Sequence, residues 1–548
     1  MSPKHLGPLI RRIALCAAAL AAAACAPSAA VGPAGTSLTL GEISEPSSLN
    51  PLMLEGTTSA MVGSLLYSFL VTVDPQGNLV PDAATAVPTL ANGGITRDGL
   101  TVTYHLRRGI RWHDGQPLTA RDCVFTYRAI MDPHNNIPDR HGYDQIASVT
   151  APDDLTVVVK LRRPYSPITD AFLGLDFNYP IVPAHLMAGL PNLNNLDTTR
   201  YTVGSGPFKL VEWQRGDHLT FAANEAYFRG PPAIKRLTIH VVPASATMLN
   251  QLRTGELDGA LQLSDPALLA PLRAIASLTT VTRPLSGVLE LYFNTQSGPA
   301  ADLSVRRALV RAIDADRIVR RATLGLYRSA GAMRGFFGTY ESGAEPPAYD
   351  PAAARAQLDA AGWKMGPDGV RSRNGRRLTL ALAYMNGPSI FTVVGTQIQA
   401  ELRQVGVEVN LRGYVPTEFI APPNAGGIMF GARFDLALAN IYAAAAGGPE
   451  AGSFFICSER SPVGFNISRL CDPRFDARFD DAVRSYDPAR VRSDVAAMES
   501  LLIEDAPQRA LAQIRSVSAF TSRLTGVTSN PVTPYSAAWR WRLVPESR

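Results

Sequence analysis

The sequence predicts an α/β protein built from several lobes, and three features support that fold class. The chain has 548 residues, and at about 150 residues per domain this corresponds to roughly three domain-sized units. Hydrophobic residues make up 46% and charged residues 18% of the chain, which is typical of packed globular proteins. Strand-like and helix-like spacings of apolar residues alternate along the chain, as expected for α/β architecture.

The first half of the chain shows strand patterns around one capped helix. Leu38–Leu40 begins an extended segment, and Thr101–Leu106 and Thr156–Leu161 alternate as strands do. Thr119 is followed three residues later by Asp122, a spacing typical of a helix N-terminus. The helix is expected to end at Asp132, because the residue before a proline avoids helical backbone angles.

The second half contains the clearest α/β unit. Its apolar residues alternate, then follow helical spacing, then alternate again: Leu378, Leu380 and Leu382; Ile398, Leu402 and Val405; Val407, Val409 and Leu411. This order predicts a strand, a helix and a second strand. Two further helices are predicted, one that carries Val305, Leu309 and Ile313 and one that begins at Asp350–Pro351 and stops at Gly362.

The first 25 residues differ from the rest of the chain. Lys4, Arg11 and Arg12 precede an apolar, alanine-rich run over residues 13–24 that ends at Cys25. This pattern predicts a signal peptide over residues 1–25, followed by a linker over residues 26–37. The run is shorter than the roughly 20 residues that span a bilayer. The small residues before Cys25 resemble a bacterial lipobox and predict lipidation there, whereas ordinary cleavage that discards Cys25 is the alternative.

Export also bears on the remaining cysteines, because disulfides persist in oxidising compartments. Cys457 and Cys471 flank a segment that contains Ser, Gly, Pro and Asn, and we predict a disulfide that closes this loop. Metal binding is the alternative, but neither cysteine belongs to a CxxC pair and no His cluster accompanies them. Cys123 lies in a helical pattern and is predicted to be a buried free thiol.

Several motifs bear on the class of function. The net charge of +5 is small for this length, so a nucleic-acid partner is not expected. His113–Gly115 follows a strand and precedes a capped helix, which favours a tight turn over a reactive site. Gly204–Gly206 lacks the lysine and the helix of a phosphate-binding loop. Since neither Gly-x-Ser-x-Gly nor His-Glu-x-x-His occurs, we predict no catalytic residue, metal or cofactor, with a secreted hydrolase as the alternative.

A series of ordered segments gives the chain a more specific resemblance. They read EPSSLNP (45–51), LYSFL (66–70), DPQGNLVP (74–81), DGLTVTYHLRRGIRWHDGQPLTARD (98–122), GSGPF (204–208), LRTGELD (252–258), FNT (293–295), DLSVRRAL (302–309), and YDP through AGW (349–363). In this order and spacing, from about residue 38 to 520, the chain resembles family 5 of the solute-binding proteins of bacterial ABC importers, which includes the oligopeptide- and dipeptide-binding proteins.

The resemblance implies a periplasmic-binding-protein-like fold, in which two lobes close on a cleft and an additional domain is inserted in the first lobe. It predicts a discontinuous lobe I over residues 38–65, 200–287 and 520–548, an additional domain over 66–199, and lobe II over 288–519. The implied function is that of an extracytoplasmic, lipid-anchored monomer that captures a peptide-like solute and delivers it to the permease subunits of an ABC importer. Ligands of other kinds, namely metal chelates, sugars, opines and modified peptides, are the alternative, because a fold does not determine a ligand.

The resemblance also points to segments that line the cleft. From these segments we predict six ligand-binding residues: Glu45, Ser47, Phe293, Asn294, Asn440 and Tyr442. In peptide-binding members an aspartate pairs with the free amino group of the ligand, and its position here reads Ala444 or Ala445, depending on the anchor of the alignment. A buried ammonium without a counter-charge costs several kcal/mol, so we do not expect this segment to bind a free peptide N-terminus. Glu45 and Glu450 are the candidates for a replacement charge.

Overall fold

A large sheet of eleven strands runs through the protein. The computed structural model describes residues 35–545, except 55–56, 138–139, 141, 176–178, 332–335, 388, 423–424, 443–446 and 462–463. The predicted signal peptide and Cys25 therefore lie outside the described residues, as do Ala444 and Ala445. Smaller sheets of two or three strands accompany the large one.

The helices and strands follow one another in three stretches. Up to residue 201 they are β1 (Ser37–Glu42), α1 (Thr57–Leu66), β2 (Val71–Val73), β3 (Leu79–Pro81), β4 (Thr101–His105), α2 (Ala120–Met131), β5 (Ile146–Asp153), β6 (Thr156–Leu161), α3 (Ile168–Ala171), α4 (Ala184–Met187) and α5 (Thr198–Tyr201). From there to residue 293 they are β7 (Phe208–Gln214), β8 (His218–Ala223), β9 (Arg236–Val241), α6 (Ser245–Thr254), β10 (Gly259–Leu263), α7 (Leu269–Arg273) and β11 (Leu278–Phe293).

The third stretch reaches the C-terminus. It contains α8 (Leu303–Ala312), α9 (Ala315–Ala322), β12 (Arg328–Ser329), α10 (Pro351–Ala360), β13 (Lys364–Met365), β14 (Arg371–Arg373), β15 (Arg376–Arg377), β16 (Thr379–Met385), α11 (Ser389–Gln404), β17 (Glu408–Tyr414), α12 (Pro416–Phe419), β18 (Leu436–Tyr442), α13 (Pro473–Arg484), α14 (Pro488–Asp505), β19 (Gln508–Thr521), β20 (Leu524–Thr525) and β21 (Arg542–Leu543). Short 3₁₀ turns include Gly338–Tyr340 and Pro449–Phe455.

The large sheet has two halves that share two long strands. In the first half, β1 is parallel to its neighbours β9 and β10, and the antiparallel strands β8 and β7 follow β9. In the second half, β16 lies between β17 and β18 and is parallel to both. Strands β11 and β19 pair with each other over most of their length and belong to both halves. The two halves are therefore joined through a two-stranded crossing.

Several predicted elements are confirmed, and local chemistry explains their bounds. The carboxylate of Asp122 accepts the N–H of Thr119 at 2.8 Å, which satisfies a donor at the start of α2. The carboxylate of Asp350 likewise accepts the N–H of Ala353 at the start of α10. The strand, helix and strand predicted over residues 378–411 form β16, α11 and β17, and Leu380 stands opposite Val409 in the parallel pair.

The segment around His113 has the structural role that the sequence favoured. Gly115 lies in the left-handed region with φ of +92°, which favours glycine because it has no side chain to clash. The imidazole of His113 accepts the N–H of Gly204 at 3.1 Å and contacts the carbonyl of Gly206 at 3.1 Å. Burial lowers the pKa of His113 to about 4, so the ring is neutral at pH 7. A β-carbon at Gly204 would lie 1.8 Å from the Leu66 carbonyl oxygen, and this loop is therefore a close-packed junction.

Four hydrophobic cores fill the described residues. One core lies against the first half of the sheet and includes Phe208 and Trp541. A second is formed mostly by residues 52–201, with Val483 also buried in it, and includes Trp112, Tyr104 and the free, buried Cys123. The other two centre on opposite faces of the second half of the sheet. Burial raises the pKa of the Cys123 thiol, which makes it an unreactive core residue.

Candidate functional site: the cleft at the strand crossing

The crossing between the two halves is bent by an irregularity in β11. Pro284 stands opposite Arg515 and Val288 stands opposite Gln513, so residues 285–287 of β11 face the single residue Ile514 of β19. Extra residues of this kind bend a strand and increase its twist. Pro284 also lacks an N–H for the ladder. The two halves of the sheet therefore meet at a bent and weakened point of the strand pair.

A cavity of about 230 Å³ opens beside this crossing. Its lining comes from five separate segments: Gln76 and Gly77; Pro284, Leu285 and Ser286; Gly338, Thr339 and Glu341; Gln513; and Pro531. The volume lies just below the range of about 300 to 1,000 Å³ that is typical of small-molecule sites. The cavity therefore has room for a small solute, which would contact both hinge strands and the segments on either side of them.

Tyr442 and Gly447, the described residues on either side of positions 443–446, both lie near this cavity. Tyr442 pairs with Gly287, the neighbour of the lining residue Ser286. A β-carbon at Gly447 would come within 2.4 Å of Gly338, which is itself a lining residue. Gly447 has φ of +60°, so glycine satisfies both the backbone angle and the close contact. The role of residues 443–446 in ammonium recognition stays a prediction, because these residues lie outside the described part of the chain.

Two of the six predicted ligand residues lie on the strand that leads to this segment. Tyr442 is 50% exposed, and its ring packs so closely over Gly287 that a β-carbon there would lie 2.6 Å from two ring carbons. Desolvation raises the pKa of Tyr442, and the side chain of Asn440 partly offsets this. Oδ1 of Asn440 is buried and has no hydrogen-bond partner among the described residues. The ligand-binding roles of Asn440 and Tyr442 stay predictions.

Glu45 and Ser47 lie in the loop that follows β1. Oε2 of Glu45 accepts hydrogen bonds from Nε1 of Trp213 at 3.3 Å and from the N–H of Gly216 at 3.1 Å. The backbone N–H of Ser47 donates to Oγ of Ser59 at 3.1 Å, and the two hydroxyl groups are also 3.1 Å apart. These contacts fix the loop to β7, to the turn that follows β7 and to α1. The ligand-binding roles of Glu45 and Ser47 stay predictions.

Phe293 and Asn294 occupy a different environment. Phe293 is fully buried in an apolar core. Nδ2 of Asn294 donates to the carbonyls of Ala432 and Phe434, each at 3.1 Å. In this conformation the two side chains tie the end of β11 to the segment before β18, and their ligand-binding roles also stay predictions.

Glu450, the other candidate for a replacement charge, lies at a contact between two parts of the chain. Its Oε2 accepts a hydrogen bond from the hydroxyl of Tyr165 at 2.8 Å. Nearby, the N–H of Ser166 donates to the Val483 carbonyl at 2.7 Å, and the hydroxyl of Tyr486 donates to the Tyr165 carbonyl at 3.0 Å. Glu450 thus helps to join the region predicted as the additional domain to the second half of the molecule.

Other features of the described residues bear on the class of site. Cys457 and Cys471 are joined in a disulfide with their Cα atoms 4.6 Å apart. Among the described residues, no group of three or more His, Cys, Asp or Glu side chains is arranged to hold a metal ion. The same residues contain no helix that is long and apolar enough to cross a membrane.

Sequence reasoning missed most of the cavity lining. Pro284 and Gly287 interrupt an otherwise strand-like run, and they were the available signal for the irregularity in β11. Glu341 and Gln513 carry no local signal, because they reach the cavity only through contacts between segments that are far apart in the chain.

Comparisons with known proteins identify the family of the chain. A family model described as bacterial extracellular solute-binding proteins, family 5 Middle, matches residues 78–458. Protein XP55 of Streptomyces lividans is 31% identical over 528 residues, which cover 94% of this chain and 92% of the relative. The oligopeptide-binding protein AppA of Bacillus subtilis (strain 168) is 27% identical over 402 residues, or 71% of this chain and 72% of the relative.

A solved structure extends the similarity to the fold. The crystal structure of NikZ from Campylobacter jejuni in complex with Ni(L-His) has a TM-score of 0.77 and 24% identity, and the match covers 93% of this chain and 99% of that one. The likeness extends over nearly the whole of both chains. It confirms the fold class that the sequence predicted.

Proposed function

Since the chain belongs to family 5 of the bacterial extracellular solute-binding proteins, we propose that it is the receptor of an ABC importer and that it captures a small, peptide-like solute. The observation that carries this proposal is the cavity at the strand crossing, which is lined from both sides of a bent hinge. A solute held there touches segments that move relative to one another when the hinge bends. Binding would then favour the closed arrangement of the lobes.

The lobes of this proposal are those that the sequence analysis delimited. Lobe I comprises residues 38–65, 200–287 and 520–548, the additional domain 66–199, and lobe II 288–519. Two observations support the division, since β11 spans one boundary near residue 287 and β19 spans the other near residue 519. Each boundary then falls inside a strand that belongs to both halves of the sheet.

The cavity bears on how a peptide-like solute would be held. Glu45 is engaged with Trp213 and Gly216, and Glu450 is engaged with Tyr165. Among the described residues Glu341 is the carboxylate that lines the cavity, and it is chosen for that position alone, because it too has a contact within the protein. In this proposal an ammonium group on the solute pairs with Glu341, and residues 443–446 supply no charge.

A metal chelate is the second candidate for the solute. NikZ, a structural neighbour, is described in complex with Ni(L-His). Because the described residues contain no cluster of metal ligands, this chain would recognise the chelator and not the bare ion. Both candidates are small polar solutes that carry carboxylate groups.

Location and anchoring also belong to the proposal. The predicted signal peptide and the alanines before Cys25 support export followed by lipidation, which would tether a monomer to the outer face of the membrane. Because one acyl chain gives only marginal membrane binding, stable tethering needs several chains. Intact-mass and detergent-partition measurements test this, and a mature chain that starts beyond Cys25 without lipid would contradict it.

Identification of the retained solute tests the function most directly. The protein is purified without dialysis, and the released solute is identified by mass spectrometry. The emptied protein is then measured by small-angle scattering with and without that solute, and compaction is expected on binding. The recovered solute should be chemically unchanged, because the proposal assigns binding without turnover. Release of an altered solute at a catalytic rate would instead support the hydrolase alternative.

A further inference from the structure

A second, smaller cavity lies where the chain passes from α14 to β19. Its volume is about 20 Å³, and a cavity needs roughly 10 to 15 Å³ to hold one water-sized particle. Most of its lining is apolar and includes Val310 on α8, Pro346 and Pro347, and Leu502 and Ile503 on α14. It shares no lining residue with the cavity at the strand crossing. It therefore has room for a single small particle and is separate from the proposed solute site.

Arg509, on β19, is the charged residue of this lining. The residue is only 8% exposed, and its Nε and Nη1 atoms are buried without a hydrogen-bond partner. Among the described residues it also forms no ion pair. Buried charges are as a rule paired, because an unpaired ion loses its hydration and gains nothing in exchange. The guanidinium group of Arg509 thus has unused donors at the wall of the cavity.

The nearest carboxylates do not supply the missing partner. Desolvation lowers the pKa of Arg509, and three carboxylates offset this only in part: Asp316, Glu345 and Asp314. Asp314 caps the N-terminus of α9. Glu345 approaches the cavity wall at Gly331, where a β-carbon would lie 3.0 Å from both carboxylate oxygens, and it has its own contact within the protein. The protein's carboxylates therefore act on Arg509 only from a distance.

Arg306 shows how a buried arginine is satisfied in the same region. It donates to the carbonyl of Asp505 at 2.9 Å and to that of Ala506, a lining residue, at 3.1 Å. Carbonyls at the end of a helix such as α14 lack partners within the helix and need donors of this kind. The carboxylates of Asp505 and Asp302 also stabilise the charge of Arg306. Arg509 has neither kind of partner, and the space that its donors border is the cavity.

We propose that this cavity binds a single halide ion, normally chloride, through the guanidinium group of Arg509. The inference goes beyond the proposed receptor function and does not depend on the solute. A chloride ion is only slightly larger than a water molecule and suits the volume, whereas carboxylate, phosphate and sulfate groups are too large. A water molecule would accept a hydrogen bond but leave the charge uncompensated. A halide here would act as a structural ion that holds the start of β19 against α8 and the segment with Pro346 and Pro347.

A bromide experiment on the native protein tests the site directly, because bromide scatters X-rays anomalously. Crystals of the protein are grown with sodium bromide in place of sodium chloride. We expect an anomalous peak in the cavity, in hydrogen-bond contact with Arg509. Density in the cavity without an anomalous signal would identify a water molecule and overturn the proposal. Bromide peaks confined to other places on the protein would overturn it as well.

A thermal-shift experiment tests binding in solution. The protein is heated in sodium chloride or sodium gluconate at equal ionic strength, since gluconate is too large for the cavity. An ion that binds only the folded state raises Tm, and at ten times its Kd it favours folding about elevenfold. We expect chloride to raise Tm above the gluconate value in the native protein and Arg509→Gln to abolish that rise. Equal Tm values in the two salts, or the same rise in Arg509→Gln, would overturn the site.

A matched control separates a local effect from a general loss of positive charge. Arg515 is half-buried on the same strand and does not line this cavity. Arg515→Gln removes the same charge as Arg509→Gln and should keep the full response to chloride. An equal loss of response in both variants would indicate a general charge effect and contradict the proposal. Because the bromide experiment needs no variant, it decides the matter even where Arg509→Gln does not fold.

Discussion

Replacement of Glu290 by glutamine is expected to change how stability depends on pH. Glu290 lies on β11 with no exposed surface, and it has no cationic partner among the described residues. Burial raises its pKa from 4.5 to about 8, and Tyr292 offsets only part of that effect. The folded protein then holds a proton that the unfolded chain releases, so the contribution of Glu290 to stability is complete below about pH 4.5 and is lost as pH rises toward 8.

The size of the effect follows from the shift in pKa. Each unit corresponds to about 1.4 kcal/mol, so the full rise amounts to roughly 4 to 5 kcal/mol across this window. Glu290→Gln removes this term, because the amide does not ionise. The stability of the variant relative to the native protein should therefore increase by several kcal/mol between pH 4.5 and 8.

Urea unfolding of both proteins at pH 5, 6.5 and 8 measures this difference. Comparison at each pH cancels the titration of distant groups that the two proteins share. Glu42 is one such group, since burial raises its pKa to about 8 as well despite its hydrogen bond from Tyr535. A difference between the two proteins that stays constant from pH 5 to pH 8 would refute the reasoning, because it would mean that Glu290 does not bind the extra proton in the folded state.

Three further predictions concern the disulfide, the hinge and the specificity of the cleft. Cys457→Ser opens a loop with a sequence separation of 14 and should cost about 3 kcal/mol in urea unfolding; non-reducing peptide mapping that finds both thiols free after export would contradict the pairing. Gly287→Ala should cost about 1 to 3 kcal/mol and weaken solute binding, because its β-carbon would overlap the tyrosine ring opposite. The control Gly395→Ala meets only ordinary contacts at 3.5 Å or more and should stabilise its helix, so equal losses in both variants would contradict the steric argument. Ala444→Asp or Ala445→Asp should tighten binding of a free dipeptide, measured by calorimetry, roughly tenfold or more relative to its N-acetylated form. A Glu341→Gln variant with both alanines unchanged that still prefers the free dipeptide to the acetylated one would refute our account of this segment.

The sequence was most informative where structure depends on neighbouring residues. The cap at Thr119 needs only Asp122, three positions away, and the parallel pair of β16 and β17 needs only apolar periodicity on either side of one helix. Both were predicted, and both are confirmed. The turn at His113 belongs to the same class, because a glycine with positive φ fixes its path.

The sequence was least informative where structure depends on distant segments. Strand β19 is fourteen residues long and pairs with β10, β11 and β12, partners that local periodicity does not identify. The cavity combines residues as far apart as Gln76 and Pro531. The resemblance to a known family predicted lobe boundaries and ligand residues that stay predictions, and one of those residues, Phe293, has its side chain buried in the core. A family resemblance locates a segment, and side-chain direction depends on packing.

The distribution of the cavity lining indicates which contacts can drive closure. A solute shifts an equilibrium between open and closed forms only by the contacts that differ between them. Ser286 and Gln513 lie on the crossing strands, whereas Gln76 and Gly338–Glu341 lie on segments at either side of them. In the proposed receptor, a solute that contacts both sets of residues would favour whichever form of the protein holds them together.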